Sequence, residues 1–192
     1  RTPMTKAWKM GQGWSIPLKS CRTWTTFPEY LDTLDRLPKG INYSGYIGHS
    51  ALRTFAMGER AFSEAPTDAE MKAMKDELAD SIRAGAMGFS TSRTRNHQTP
   101  SGEPVASRLA SWDEVKELVG VMGDLGAGIF EIAAEDVGRD PEAQREYHVR
   151  LRDLAVDTGR PITWGIFSSR RAPEVWPPYL ELLNETAEAG GT

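Results

Sequence analysis

The sequence predicts an α/β protein, a partial (β/α)8 TIM-like barrel of about four parallel strand–helix units. Three observations point there. Short apolar segments of strand character alternate with amphipathic helical ones along the chain. Most of the helical segments open on capping residues and close on glycine. Four such units are half of the eight that close a barrel of about 250 residues.

Residues 1–40 are expected to form an irregular covering segment plus a helix, and residues 41–192 the central part of the barrel. Residues 1–26 have no sustained periodicity but hold Trp8, Trp14 and Trp24, whose large apolar area implies packing rather than disorder. Thr26 and Glu29 have capping-box spacing, with Pro28 in the first turn; Phe27, Tyr30, Leu31 and Leu34 follow at helical intervals up to Pro38. A first strand is expected over 41–48 and a short helical turn over 52–57. Thr67 and Glu70 open the next helix, with Met71, Met74, Leu78 and Ile82 on one face, and Gly85 stops it. Residues 86–90 read as a second, short buried strand, and a polar loop runs over 91–110. Ser111 and Glu114 open a helix whose buried stripe is Val115, Leu118, Val119, Met122 and Leu125. The third strand is expected over 128–133. Asp140 and Pro141 begin a helix with Tyr147, Leu151 and Leu154 inward, ending at Gly159. Residues 161–167 are the expected fourth strand, and about 178–189 the last helix.

Strands alternating with helices imply a parallel sheet with right-handed crossovers. Four parallel strands with both edges open would expose unpaired backbone on each side. The chain therefore reads as a fragment of a larger barrel, with a complete four-stranded open sheet as the alternative. Composition narrows the partners. Of the 192 residues, 39% are apolar and 26% charged, ordinary for a globular protein. No apolar run approaches the roughly 20 residues of a membrane span, and the first residues lack the apolar core of a signal peptide. A net charge of −4 gives no electrostatic reason to expect nucleic acid. The single cysteine, Cys21, excludes an internal disulfide and fits a reducing, cytoplasmic compartment.

Three stretches in fixed order carry a resemblance. They are residues 24–32 (WTTFPEYLD), residues 48–53 (GHSALR) with Met57-Gly58-Glu59-Arg60, and residues 84–94 (AGAMGFSTSRT) followed by Asn96-His97. Together they resemble the N-acyl-D-amino-acid deacylase (D-aminoacylase) branch of the amidohydrolase superfamily, from about residue 24 to the end. The resemblance implies a (β/α)8 barrel with zinc at the carboxyl ends of its strands. It also implies a metal-bound hydroxide that attacks the amide carbonyl and an aspartate after the last strand that carries the proton. The family's His-x-His pair would lie before this chain and its aspartate after it; no His-x-His occurs in the 192 residues. In the better-known members, the two strands after the Ser-Thr-Ser-like strand each end in a metal-binding histidine. Here those strands, over 128–133 and 161–167, contain none. Either this branch binds its metal differently, or its substrate is not that of a D-aminoacylase. Catalytic residues are accordingly expected outside this chain, and so are most of the metal ligands.

The substrate-binding candidates are His49, Ser90, Ser92, Arg93, Arg95 and Glu131. His49 follows the first expected strand, where barrel chemistry gathers; its alternative is a histidine held by hydrogen bonds beside the site. Ser90, Thr91, Ser92, Arg93 and Arg95 sit at the mouth of the second strand. Hydroxyls and guanidinium groups suit the carboxylate of an acylated amino acid, or else the hydroxyls organise the turn and the arginines stay solvated. Arg93-Thr94-Arg95 stands where D-aminoacylases tend to have Leu-x-Tyr. Glu131 is expected to point into the barrel, as a site residue or paired with an internal arginine. His97 lies in a loop of nearly twenty residues and reads as an exposed histidine, with a functional role as the alternative; His148 reads as a surface residue, and Glu135 and Asp136 as solvated or near a metal.

The expected function is that of a segment of a metal-dependent amidohydrolase acting on a small-molecule N-acyl amino acid or related amide. Metal and catalytic groups would come from the remaining barrel segments or a partner chain, so the chain alone is expected to be inactive. The alternative is a non-catalytic barrel segment that works by assembly with a partner.

Overall fold

The computed structural model describes residues 24–138, 140–166, 170 and 173–191. Trp8, Trp14, Cys21 and most of the expected covering segment lie outside these residues. Among the described residues, six α-helices and four strands follow in the order α1 (Phe27–Asp35), β1 (Tyr46–Gly48), α2 (His49–Met57), α3 (Asp68–Arg83), β2 (Gly88–Ser92), α4 (Trp112–Leu125), β3 (Ile129–Ala133), α5 (Pro141–Thr158), β4 (Ile162–Trp164) and α6 (Pro177–Glu188). Short 3-10 turns occupy Gly58–Phe62 and Ala106–Leu109.

The helix starts follow from local chemistry. Thr26 and Thr67 each accept the amide of the glutamate three residues on, and Glu29 and Glu70 return to the capping backbone. Ser111 and Asp140 cap α4 and α5 through their side chains. Both of these helices end on a left-handed glycine, Gly126 at φ 63° and Gly159 at φ 60°, a conformation that a Cβ disfavours.

The four strands form one parallel sheet in the order β1-β2-β3-β4, as the alternation predicts. Adjacent pairing in sequence order, with crossovers of a single hand, places every connecting helix on the same face. Ile47, Phe89, Phe130 and Ile132 point to that face and are fully buried in the main core with Leu78, Val115, Leu118, Met122 and Leu151. Phe89 and Phe130 stack with ring centroids 5.8 Å apart. The alternate residues Tyr46, Ser90, Ser92, Ile129, Glu131 and Thr163 point to the opposite face, where each is half-buried or exposed. In a closed barrel this is the inner face.

Some expected boundaries move. The first strand is confined to Tyr46–Gly48, leaving Ile41 and Tyr43 exposed. The second lies two residues later than expected, at Gly88–Ser92. At β2 the shift has a visible cause. A Cβ on Gly88 would lie 1.9 Å from the Ile129 carbonyl oxygen, so Gly88 brings β2 close enough to begin pairing with β3. No helix among the described residues is long and apolar enough to cross a membrane.

Candidate functional site

The carboxyl ends of β1, β2 and β3 gather the candidate residues, but on two sides of the sheet. On the open face, Gly48, Ser90, Glu131 and Thr163 stand in one row across the four strands. Ser92 stands two residues nearer the carboxyl rim, opposite Ala133. Ser90 and Ser92 are half-buried; Glu131 and Thr163 are exposed. Burial, and then the charge of Glu131, raise the pKa of the Tyr46 phenol on the same face above its ordinary value. Glu131 has no internal arginine partner among the described residues, so the paired alternative is not what forms here.

The arginines that follow β2 are engaged rather than free. Arg93 donates to the Ala110 carbonyl and lies 3.8 Å from Glu135. Arg95 grips Asp136, with its Nε 2.8 Å and a terminal nitrogen 2.6 Å from Oδ2. The Arg95 contact, then the amide of Gly138, hold the Asp136 carboxyl below its ordinary range. Glu135 is also 3.6 Å from Arg150, whose guanidinium covers the rings of Trp112 and Tyr147. Glu135 and Asp136 are thus tied to arginines at the rim.

The long loop after β2 is folded back onto it. The Ser107 hydroxyl donates to the Ser92 carbonyl at 3.1 Å, and the Ser107 amide donates to the Ser50 hydroxyl at 3.0 Å. His97 closes a turn by donating its amide to the Thr94 carbonyl, while its own carbonyl accepts from Arg108 at 3.3 Å. That anchoring sets the His97 ring against Ser92, with Nδ1 2.7 Å from the hydroxyl oxygen. The sequence does place His97 in a loop, but gives no sign that the loop returns.

His49 lies at the same end of the sheet but behind it. It begins α2 instead of sitting in a loop, and it is 1% exposed. Its Nε2 is 2.8 Å from Glu114 and its Nδ1 2.8 Å from Thr91. Glu114 also meets Arg53, one helical turn beyond His49, which is 0% exposed and donates to the carbonyls of Ala61 and Glu64. Burial pushes the Glu114 carboxyl up, but His49 and Arg53 together bring it below its ordinary value. Burial moves the His49 pKa down, Glu114 opposes, and the charges of Arg53 and Arg93 add to the lowering. The neutral ring therefore donates from Nε2 to the ionised Glu114 and accepts the Thr91 hydroxyl at Nδ1. Thr91 is the residue of β2 between Ser90 and Ser92, so this buried chain fixes the segment that displays both serines. His49 thus shares the carboxyl rim of the sheet with Ser90, Ser92 and Glu131, but it does not face the open side with them, because both of its nitrogens are taken from behind.

Glu114 was legible only as a helix opener. Ser111 does cap α4 by accepting the Glu114 amide, yet the Glu114 side chain turns inward to Arg53. His148, expected on the surface, is 4% exposed and packs on Tyr179 of α6 with ring centroids 4.6 Å apart. Burial lowers its pKa, Arg145 lowers it further, and Glu185 and Glu181 oppose.

Both histidines bind protons less readily folded than unfolded. Stability is therefore full above the ordinary value of 6.5 and declines as pH falls from there toward the folded values. The urea midpoint is expected to fall between pH 7.5 and 5.5, before the carboxylates titrate. An unchanged midpoint across that interval would mean that both rings protonate freely in the fold.

Among the described residues, no group of three or more His, Cys, Asp or Glu side chains is placed to hold a metal ion. The donor set of a catalytic zinc, three protein ligands, is not supplied by these strand ends.

Comparison with known proteins gives the following. No family model matches the chain. An uncharacterized protein of Mycobacterium tuberculosis is 34% identical over 122 residues, covering 57% of this chain and 19% of that protein. The D-aminoacylase of Alcaligenes xylosoxydans xylosoxydans is 32% identical over 131 residues, covering 68% of this chain and 25% of that enzyme. Among solved structures, N-acyl-D-glutamate deacylase from Bordetella bronchiseptica, complexed with zinc and a phosphonate mimic of the tetrahedral intermediate, superposes with a TM-score of 0.63. It is 24% identical and matches over 88% of this chain and 32% of that one. The four-stranded sheet thus corresponds to part of that deacylase's barrel. The chain spans about a fifth to a quarter of the length of the curated relatives it matches.

Proposed function

Because this chain is a relative of the D-aminoacylase branch of the amidohydrolase superfamily, aligned over part of that family's length, we propose that it forms the substrate-facing wall of an amidohydrolase. The substrate is an N-acyl D-amino acid or a related amide, and the setting is cytoplasmic. Ser90, Ser92 and Glu131 line the wall and hydrogen-bond the amide, and Arg93 and Arg95 at its rim exchange Glu135 and Asp136 for the substrate carboxylate. His49 supports them through Thr91. Zinc belongs to this reading, with its ligands and the proton-carrying aspartate contributed by residues outside the described ones; no step is assigned to a metal on this chain. The observation that carries the proposal is the polar row on the sheet face that no helix among the described residues covers, with two arginines at its carboxyl end.

This chain alone is expected to show no turnover of N-acetyl-D-amino acids with added zinc. Turnover that survives chelation controls and repurification would overturn the division of labour. In the longer protein that this reading entails, Ser90→Ala and Arg95→Ala should lower kcat/KM by about tenfold or more, a transition-state loss of roughly 1.4 kcal/mol. Undiminished kcat/KM in both variants would remove these residues from the site.

A second reading, a non-catalytic segment completed by a partner chain, is favoured by one observation. Trp176, the N-cap residue of α6, and Leu180 and Leu183 within the helix recur at helical spacing and are all exposed. Under that reading, the same substitutions would leave every hydrolytic activity of the assembled protein unchanged.

A further inference from the structure

The pairing of Ser92 with His97 carries chemistry that the deacylase reading does not use. We propose that Ser92 is a nucleophile and His97 its general base, and that together they take an acyl group from activated carboxylic esters without a metal. Four observations support the assignment. The Ser92 hydroxyl and His97 Nδ1 are 2.7 Å apart, within the range over which a base removes a hydroxyl proton. The ring is held there by its backbone, through the amide bond to Thr94 and the Arg108 bond to its carbonyl. Ser92 is the last residue of β2, and its own carbonyl is fixed by Ser107, so the hydroxyl is presented from a rigid strand end. Finally, Ser92 is half-buried and His97 exposed on a face that no helix among the described residues covers, so an ester can reach the pair.

The reaction balances with these groups and water. In the Nε2–H form of His97, Nδ1 accepts the Ser92 proton as Oγ adds to the ester carbonyl. The tetrahedral adduct collapses, the carbon–oxygen bond to the alcohol breaks, and the departing oxygen takes the proton from His97. Water then adds to the acyl-Ser92 carbonyl while His97 receives its proton. Collapse expels Ser92 Oγ, which recovers its proton, and releases the carboxylic acid. Ser90, on the same face two residues earlier, has no imidazole partner among the described residues and serves as the internal comparison.

The test uses this chain in a Cys21→Ser background, so that the one thiol cannot take the acyl group. It is treated with p-nitrophenyl acetate in the presence of a chelator. Acetylated positions are mapped by peptide mass spectrometry, and the initial rate is followed by nitrophenolate release. The expected result is acetyl-Ser92 as the main serine adduct, with Ser90 at least about tenfold lower. Loss of a positioned general base reduces such steps by about 100-fold or more. His97→Ala and His97→Gln are both expected to show that fall, and the Gln variant keeps a hydrogen-bonding side chain against Ser92. An adduct distributed evenly over serines, or a Ser92 adduct whose rate is unchanged in the Gln variant, would overturn the proposal.

Discussion

Arg53→Ala is expected to lower the stability of the fold by about 3–5 kcal/mol, the range for removing one partner of a buried ion pair. Arg53 is fully buried, and Glu114 is 3% exposed, so little solvent screening reduces the effect. The substitution leaves the Glu114 carboxylate in the core with His49 as its remaining side-chain partner among the described residues, and leaves the Ala61 and Glu64 carbonyls without this donor. Arg53→Lys should recover little, since one ammonium cannot span the carboxylate and two carbonyls that the guanidinium fork reaches. The paired replacement Arg53→Met with Glu114→Leu should be less destabilised than either single change, because it removes both charges together. Urea denaturation checks all of these. A loss below about 1 kcal/mol for Arg53→Ala would place the pair among weak surface contacts.

Gly88→Ala is expected to cost about 3 kcal/mol or more, at the upper end of overpacking effects. The added carbon would lie 1.9 Å from the Ile129 oxygen and 2.6 Å from its nitrogen. Those atoms belong to the neighbouring strand's backbone, so relief means parting β2 from β3 at their first paired position. Gly120→Ala is the counterpart. It lies within α4, nothing occupies the space its Cβ would fill, and alanine is the better helix former by about 0.5–1 kcal/mol. Opposite signs for the two substitutions in one denaturation series are the expected outcome. Equal tolerance would contradict the close approach at Gly88.

How much of this was legible depends on how far each feature reaches along the chain. Helix starts at Thr26, Thr67, Ser111 and Asp140 are found where the sequence puts them, because a cap involves residues only two or three apart. Strand limits were less legible. β1 keeps only Tyr46–Gly48 of an expected eight-residue span, since a strand exists only where its neighbour pairs with it. The parity of β2 and β3 survived the shift, so Ser90, Ser92 and Glu131 share a face as expected. The burial of His49 and His148 was illegible for one reason. Their burial comes from partners 65 and 31 positions away, Glu114 and Tyr179, and nothing in local periodicity records such contacts. The same holds for Glu114, whose spacing from Ser111 fits a capping box while its side chain completes a different structure.

The sequence-ordered sheet has a dynamic consequence. Successive strand–helix units pack chiefly on their immediate neighbours, so the molecule behaves as a short linear array in which opening starts at an end and travels inward. β1 and β4 are each joined by three paired positions, whereas β2 and β3 share five. Fluctuations should therefore loosen Tyr46 and Thr163 well before they disturb Ser90 and Glu131. Amide exchange would slow toward the middle of the array, where the row of polar side chains keeps its spacing while both flanks breathe.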